Sequence, residues 1–367
     1  HLYHKGELIE MSEPIATLAK TKALTKARWT AGEVLHHRIP SLQDLERRGT
    51  NRSKEKRSHP AGPPTRPKPA LLNPVLTAAD VTDYGWVEGV ADPFLVVDDG
   101  DWHLFFEVYN STRDPTAVIG HAVSRTNGDT WEYDRVVLET DLHLSFPYVF
   151  EAAGERYMLP DTWSKSSDPA PIRLYRCEQF PGVWQEVATL VDPQIHIHDC
   201  VVFERRGRWW ALAGDGSDLY AYHSNSLEAE GWTPHRSNPV VEGRPTAARP
   251  AGRPYVADDK LVVYLQDCNE MYGKNVRAYN VTELSVDSYL DKELDYSPIV
   301  EAKGGKLGWN SGKMHHIDYH AVDGRWRCVV DGNIDAGRMI FGNNWSIGVY
   351  DCLPVTESSS HEEEYSE

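Results

Sequence analysis

Carboxyl side chains stand at matched positions along this 367-residue chain, each close to a predicted turn. Asp92 and Asp199 lie eight residues before such a turn. Glu107, Asp161 and Asp331 lie seven residues after one. Carboxyl groups that gather in one place suit acid–base chemistry, because like charges raise the pKa of at least one of them. Cleavage of a glycosidic bond, for example, uses one protonated and one ionised carboxyl group.

The residue types predict individual roles. Asp92 is the candidate base. Three further residues are candidates for the catalytic acid, namely Glu107, Asp161 and Asp199. Another group could bind substrate through hydrogen bonds or charge, and its members are His143, Arg249, Gln266, Asp267, His315, His316 and Asp331.

The segment from Val90 to Glu107 is typical of a β-hairpin. An apolar run stands on each side of an Asp-Asp-Gly turn that ends at Gly100, and this pattern predicts two antiparallel strands. Because the strands run in opposite directions, Asp92 and Glu107 come out at the same end of the hairpin.

The hairpin recurs along the chain. Its turns fall at positions 100, 154, 207, 259 and 324, which are 54, 53, 52 and 65 residues apart. Repeats of this length, each with about four strands, are typical of a propeller. The sequence therefore predicts an all-β fold, a five-bladed β-propeller.

Equal offsets from equal turns should place side chains at equivalent points of every blade. Because the first strands of the blades line a central channel, we expect one axial pocket that gathers Asp92, Glu107, Asp161, Asp199, Arg249, Gln266, His316 and Asp331. The alternative is that each polar residue caps a strand end or binds a neighbouring turn. Recurrence in five repeats favours the pocket.

Metal binding is a second explanation for this mixture of residues, with His196, His198 and Asp199 closest in sequence. No recognised zinc spacing supports it, and the five cysteines are scattered. A serine nucleophile has no supporting Gly-x-Ser-x-Gly element. We therefore predict no cofactor and no metal ligands, except that the axial channel has room for a structural cation.

The chain divides by composition. Residues 1–70 hold 14 Lys and Arg against 7 Asp and Glu, whereas the remainder holds 24 against 48. We predict a basic, Pro-rich arm over 1–72 with a helix between Ser12 and Trp29, the propeller over 73–352, and an acidic tail over 353–367. Residues 1–70 should lie outside the propeller's strands, and residues 73–82 should supply the closing fourth strand of blade five.

The acidic body argues against nucleic acid as a partner. No stretch is long and apolar enough to span a membrane. The chain starts at His rather than Met, which indicates a mature form or a fragment. Four Asn-x-Ser/Thr triplets, at Asn51, Asn110, Asn280 and Asn344, favour a glycoprotein of the secretory lumen or the extracellular space. The basic arm is a candidate contact for a protein partner.

Several motifs in order carry a family likeness, and they include Ala91-Asp92-Pro93-Phe94, Phe105-Phe106-Glu107, His143 to Glu151, Tyr157 to Asp161, Arg249 to Gly252 and Gln266-Asp267-Cys268. Over about 84–332 the chain resembles the amino-terminal propeller domain of glucosamine inositolphosphorylceramide transferases. More distantly, Ala91-Asp92-Pro93 is similar to the first-blade motif of arabinanase, β-xylosidase and invertase-type glycosidases.

The glycosidase likeness implies that Asp92 is the base or nucleophile. It implies a second-blade acid near Ser145-Phe146, where no carboxylate stands, and a third-blade Glu where this chain has His198-Asp199. Two function classes therefore stay open. The first is a carbohydrate-active enzyme that cleaves or transfers a glycosidic bond of a glycan or glycoconjugate. The second is a non-catalytic propeller that binds glycan or serves as an assembly subunit.

Overall fold

The computed structural model describes residues 2–4, 7–9, 62–70, 73–164, 168–257, 260–305, 308–322, 325–334 and 344–352. These ranges contain strands, turns and loops and no helix, so none of their elements is a helix that could cross a membrane. Two units are distinguished, residues 1–56 with 337–342 and the remainder of the chain. Within the first unit, β1 (Leu2–His4) pairs antiparallel with β2 (Glu7–Ile9). The predicted helix between Ser12 and Trp29 and the acidic tail lie outside the described residues.

The second unit is a five-bladed propeller, as predicted. Its first three blades are four-stranded antiparallel sheets in chain order. Blade one consists of β4 (Gly89–Asp98), β5 (Asp101–Tyr109), β6 (Ala117–Ser124) and β7 (Glu132–Leu138). Blade two consists of β8 (His143–Ala152), β9 (Glu155–Trp163), β10 (Ile172–Gln179) and β11 (Val183–Val191). Blade three consists of β12 (His198–Arg205), β13 (Arg208–Gly214), β14 (Leu219–Ser224) and β15 (Thr233–Pro234).

The last two blades are less regular. Blade four consists of β16 (Arg249–Pro250), β17 (Tyr255–Val256), β18 (Leu261–Gln266), β19 (Asn275–Leu284), β20 (Tyr289–Glu293) and β21 (Val300–Glu301). Blade five consists of β22 (Ile317–Val322), β23 (Arg325–Asn333), β24 (Trp345–Cys352) and β3 (Pro67–Pro69), a strand from far upstream.

The closing strand differs from the prediction. Pro67–Pro69, not residues 73–82, pairs with β24, so the expectation that residues 1–70 lie outside the propeller's strands is wrong. After β3 the side chain of Asn73 donates to the Val349 carbonyl and accepts from the Val349 N–H. The Asn73 side chain thus bonds to the Val349 N–H in place of a backbone carbonyl. Beyond it, the pairing of residues 73–82 with β24 is limited to one isolated bridge between Leu76 and Ile347. The domain boundaries at 72 and 352 otherwise stay predictions.

The first three hairpins turn as their sequences predict. Positive φ occurs at Asp99 and Gly100, and again at the two-residue turns that end at Gly154 and Gly207. Two consecutive residues with positive φ define the type I′ turn, whose twist matches that of antiparallel strands. The turns at 259 and 324 lie outside the described residues.

Arg253 joins four blades where their first strands meet. Its guanidinium group binds Asp318 of blade five (Nε–Oδ1 2.8 Å) and donates to the Leu95 and Val149 carbonyls of blades one and two. Asp318 is fully buried and also accepts the Leu95 N–H. Removal of one member of a buried ion pair leaves the other charge without compensation.

We therefore predict that Arg253→Met lowers the free energy of unfolding by about 3–5 kcal/mol. The matched control is Arg236→Met, because Arg236 is 77% exposed in its pair with Asp287. That change should cost less than about 1 kcal/mol. Urea denaturation followed by tryptophan fluorescence measures both values. Equal losses in the two variants would contradict the role given to Arg253.

Candidate functional site

In blades one to three, the residue eight positions before the hairpin turn has an unusual backbone conformation. Asp92, Phe146 and Asp199 adopt left-handed conformations, with φ of 52°, 43° and 55°. Each stands at an irregularity between the first and second strands of its blade. Such a conformation costs a non-glycine residue on the order of 1–3 kcal/mol and is concentrated at functional sites. A bulge also re-aims side chains and N–H groups.

Carboxylates of neighbouring strands accept the N–H groups that these bulges turn inward. Asp331 Oδ2 accepts from Asp92 N (3.3 Å) and thereby links blade five to blade one. Asp92 Oδ2 accepts from Phe146 N (3.3 Å), which links blades one and two. Asp161 Oδ1 accepts from Asp199 N (3.3 Å), which links blades two and three. Asp331, Asp92 and Asp161 therefore also hold neighbouring blades together.

Most of these carboxylates are paired with a basic side chain. Glu107 Oε1 lies 3.4 Å from His143 Nε2, and Asp161 Oδ2 lies 3.1 Å from His198 Nδ1. Burial alone would lower the pKa of each histidine, but the adjoining carboxylate outweighs it and raises the pKa. In both pairs the adjoining carboxylate therefore favours the charged imidazole.

Both carboxylate oxygens of Asp199 accept hydrogen bonds from side chains. Arg249 donates to both of its oxygens (Nη2–Oδ1 3.1 Å), and Gln266 Nε2 donates to Oδ2 (2.6 Å). The Arg249 guanidinium group also lies 5.0 Å from the centre of the Tyr272 ring. Tyr272 in turn packs edge-on against His315 of the fifth-blade segment, with centroids 5.2 Å apart.

Asp331 and His315 form an ion pair in blade five. His315 Nδ1 lies 2.6 Å from Asp331 Oδ2, and Asp331 Oδ1 accepts the N–H groups of His315 and His316. Burial opposes the charged imidazole of His315, but Asp331 outweighs it and raises the pKa of His315 to about 9. The contacts thus run through all five blades, and we call this set of residues the axial cluster: Asp92, Glu107, His143, Phe146, Asp161, His198, Asp199, Arg249, Gln266, Tyr272, His315, His316 and Asp331.

Asp92 is the exception among these acids. Its side chain is 7% exposed, and the nearest imidazole nitrogens, His315 Nε2 and His316 Nδ1, are both 3.8 Å from Oδ1. Within the described residues no cationic group hydrogen-bonds to it. Burial raises the pKa of Asp92 well above the usual carboxyl range. The charge of His315 opposes this rise, and the charges of Asp199, Glu107 and Asp331 add to it. The surroundings of Asp92 thus favour its protonated form.

Exposure falls steadily from the rim of the cluster to its floor. Tyr272 and Trp163 are 42% and 45% exposed. The His143 and His198 side chains are less than one-fifth exposed, and His316 is fully buried against Phe94 and Phe146. The arrangement is a funnel with aromatic groups outside and carboxyl groups within.

The structure brings the predicted site residues together with one exception. Asp267 binds Arg277 of the adjoining strand (Nη2–Oδ2 3.0 Å) rather than the cluster. Sequence reasoning missed the roles of Phe146, Tyr272 and Trp163, and treated His198 only as a metal ligand. The signal for Tyr272 was Gly273, where an added Cβ would lie 2.7 Å from the His315 Cβ, so this loop can close over His315 only with glycine there.

The zinc alternative at His196, His198 and Asp199 does not fit these contacts, because His198 binds Asp161 and Asp199 binds Arg249. In the described part of the chain, the ligand atoms that converge closely enough for a metal ion belong to Asp92, His315 and Asp331, all within 4.8 Å of one another.

Comparison with known proteins agrees with the fold and the motifs. Residues 48–333 match the family described as glucosamine inositolphosphorylceramide transferase 1, N-terminal. The chain belongs to this family. It is 34% identical over 288 residues to glucosamine inositolphosphorylceramide transferase 1 of Oryza sativa subsp. japonica, an alignment that covers 74% of this chain and 38% of the relative. The Arabidopsis thaliana protein of the same name is also 34% identical, over 277 residues, which cover 72% of this chain and 35% of that protein.

The predicted resemblance is thus confirmed, and the chain spans little more than a third of the length of the relatives it matches. Solved propellers support the fold of this family member. The catalytic domain of an α-L-arabinofuranosidase from Coprinopsis cinerea superposes with a TM-score of 0.59 at 14% identity, over 78% of this chain and 97% of that domain. A glycosyl hydrolase from Bacteroides ovatus superposes with a TM-score of 0.61 at 11% identity, over 82% and 97%.

The His198–Asp161 pair should make stability depend on pH. The folded pKa of His198 lies above its ordinary 6.5, so the pair stabilises fully below that value and the contribution disappears as pH rises through the folded pKa. The folded pKa of Asp161 lies below its ordinary 3.8, so the contribution also fades in strong acid. His198→Gln should therefore lower the melting temperature more at about pH 5.5 than at about pH 9.

His223→Gln is the control of opposite sign, because burial and Arg208 lower the pKa of His223. Its melting temperature relative to the unsubstituted protein should be least reduced, or raised, at the lower pH. Calorimetry at the two pH values measures both gaps. A His198→Gln gap that does not change with pH would refute the ion pair.

Proposed function

We propose that the axial cluster is a carbohydrate-active pocket that breaks or makes a glycosidic bond, and that Asp92 is the carboxyl group on which the activity depends. The observation that carries the proposal is the contrast between Asp92 and its neighbours. Asp161, Asp199, Glu107 and Asp331 each have a basic partner, whereas Asp92 has none within hydrogen-bonding distance among the described residues.

The roles follow from the chemistry of glycosidic bonds. One carboxyl group must give a proton to the leaving oxygen while another takes a proton from the attacking hydroxyl or water. Asp92, whose pKa burial raises, suits the donor role better than the base role that the glycosidase likeness implied. Glu107 suits the acceptor role. It pairs across the blade-one hairpin with Ala91, the residue directly before Asp92. Asp199 is withdrawn as an acid, since Arg249 and Gln266 occupy its oxygens.

The rim suits a sugar substrate. Exposed aromatic rings such as Tyr272 and Trp163 offer flat apolar faces, and His143 and His198 offer N–H groups beside them. The relatives carry the name glucosamine inositolphosphorylceramide transferase 1, and we propose a glycan or glycoconjugate as the ligand of this propeller. A secretory or extracellular location accords with such a ligand.

The Asn-x-Ser/Thr triplets differ in how accessible their asparagine side chains are. Asn110 is 1% exposed, and its side-chain amide donates to the Tyr84 carbonyl while its oxygen accepts from Thr112. Both polar atoms of the Asn110 side chain are thus engaged inside the protein, which disfavours this triplet as a glycan attachment site. Asn280 and Asn344 are partly exposed and are the described positions where modification is open. A protein partner for the basic arm stays a prediction.

A non-catalytic, glycan-binding propeller is the second candidate. One specific observation favours it: Phe146 stands where the glycosidase likeness implies a second acid, and it offers only its N–H to Asp92. The pocket would then hold a sugar without the full set of groups that cleave it.

The decisive variant is Asp92→Asn, which keeps the shape of the side chain and removes its acidity. Turnover of a panel of nitrophenyl furanosides and pyranosides should fall at least ~100-fold, with sugar binding retained. Asp267→Asn is the control, because Asp267 is an equally buried carboxylate paired outside the cluster. Unchanged turnover in Asp92→Asn would overturn the catalytic proposal. Binding of a glycoside without turnover by the unsubstituted protein would establish the second candidate.

A further inference from the structure

Two residues of the axial cluster, His316 and Gln266, carry buried polar atoms without hydrogen-bond partners. Both ring nitrogens of His316 and the Oε1 atom of Gln266 are buried and unpaired. The His316 side chain is fully buried. The Pro93 carbonyl lies near its ring, but no hydrogen bond of normal geometry forms. Unpaired buried polar atoms of this kind usually mark a bound water or ion.

The same place offers ligands for a cation. One ligand atom each from Asp92, His315 and Asp331 falls within a span of 4.8 Å. Metal–ligand bonds of about 2.0–2.5 Å allow ligands on opposite sides of one ion to be this far apart. The unpaired Nδ1 of His316 points to the same spot, 3.8 Å from Asp92 Oδ1.

The ligands are also held in place before any ion binds. Asp331 is fixed by the N–H groups of His315 and His316, and the Trp345 ring stacks on the His315 imidazole with centroids 4.2 Å apart. Supporting contacts of this kind orient metal ligands and raise affinity. The surrounding acids Glu107 and Asp199 add a negative field at Asp92.

We propose that Asp92, His315 and Asp331 form a binding site for a divalent cation at the floor of the axial cluster. Two carboxylates and one imidazole are a mixed oxygen and nitrogen set, which suits Zn²⁺ and Mn²⁺ better than Ca²⁺. The unpaired Nδ1 of His316 is close enough to Asp92 to form a hydrogen bond with a water bound to the ion.

A cation bound at this site occupies a carboxylate oxygen of Asp92, the residue on which the proposed chemistry depends. The loaded pocket should therefore turn over a glycoside more slowly. This consequence rests on the proposed function. Cation binding itself does not, since it is measured without any substrate, and so either idea can fail alone.

The test uses the full chain, stripped with a chelator and then titrated with Zn²⁺ or Mn²⁺. Calorimetry follows Zn²⁺, and the electron paramagnetic resonance signal of free Mn²⁺ follows the second ion. We expect one site per chain in addition to any weak surface sites, with Zn²⁺ bound more tightly than Mn²⁺ and Ca²⁺ bound most weakly. The melting temperature should rise with the concentration of the ion.

The variants His315→Gln and Asp331→Asn should lose this site, while Asp267→Asn should keep it. The control matters because histidines elsewhere in the chain also bind these ions, and such sites survive all three changes. Should Asp331→Asn fail to fold, Asp92→Asn gives the same readout without removing the contacts of Asp331 to the backbone. Equal stoichiometry in the unsubstituted protein, His315→Gln and Asp92→Asn would overturn the proposal.

Discussion

Five carboxyl groups share one nearly dry region where the blades meet, and each of them needs a compensating charge or hydrogen bond. A buried carboxylate without such a partner costs several kcal/mol or gives up its charge. The protein meets this requirement for three of them by pairing the acid with a basic side chain of the next blade, and for Asp331 by pairing it with His315 of its own blade. Asp161 is paired with His198, and Asp199 is paired with Arg249. Closure of the propeller therefore brings the axial cluster together at the same time.

Backbone N–H groups also compensate these carboxylates. Left-handed residues at Asp92, Phe146 and Asp199 turn N–H groups toward carboxylates that would otherwise lack a donor. The strain of these conformations is offset because three neighbouring blades hold them. Below the cluster, Arg253 satisfies Asp318 and two carbonyl groups in one contact. Stability and site geometry thus depend on the same few residues, and a substitution in the pocket must be checked for folding before it is assigned to chemistry.

Membership of the transferase family and likeness to solved glycosidase propellers describe different things. The family match rests on sequence over most of the chain, whereas the glycosidases share only the fold. Within that fold this chain replaces the implied second acid by Phe146 and neutralises the implied third acid with Arg249. Of the positions that the glycosidase likeness implies, Asp92 alone keeps an acid without a basic partner in hydrogen-bonding distance among the described residues.

The sequence by itself determined the repeat and its register. Turn glycines, alternating apolar strands and equal offsets are local properties, and they predicted five blades and the meeting of acids at one pocket. Only the tertiary structure decided which acid is paired. Asp92 and Asp331 are 239 residues apart in the chain, and Arg249 and Asp199 are 50 apart. Such pairs depend on which side chains a bulge re-aims, and no spacing in the sequence reports a positive φ at Phe146. The closing strand escaped prediction for a similar reason, because the Asn73 side chain, rather than a strand pattern, bonds to Val349.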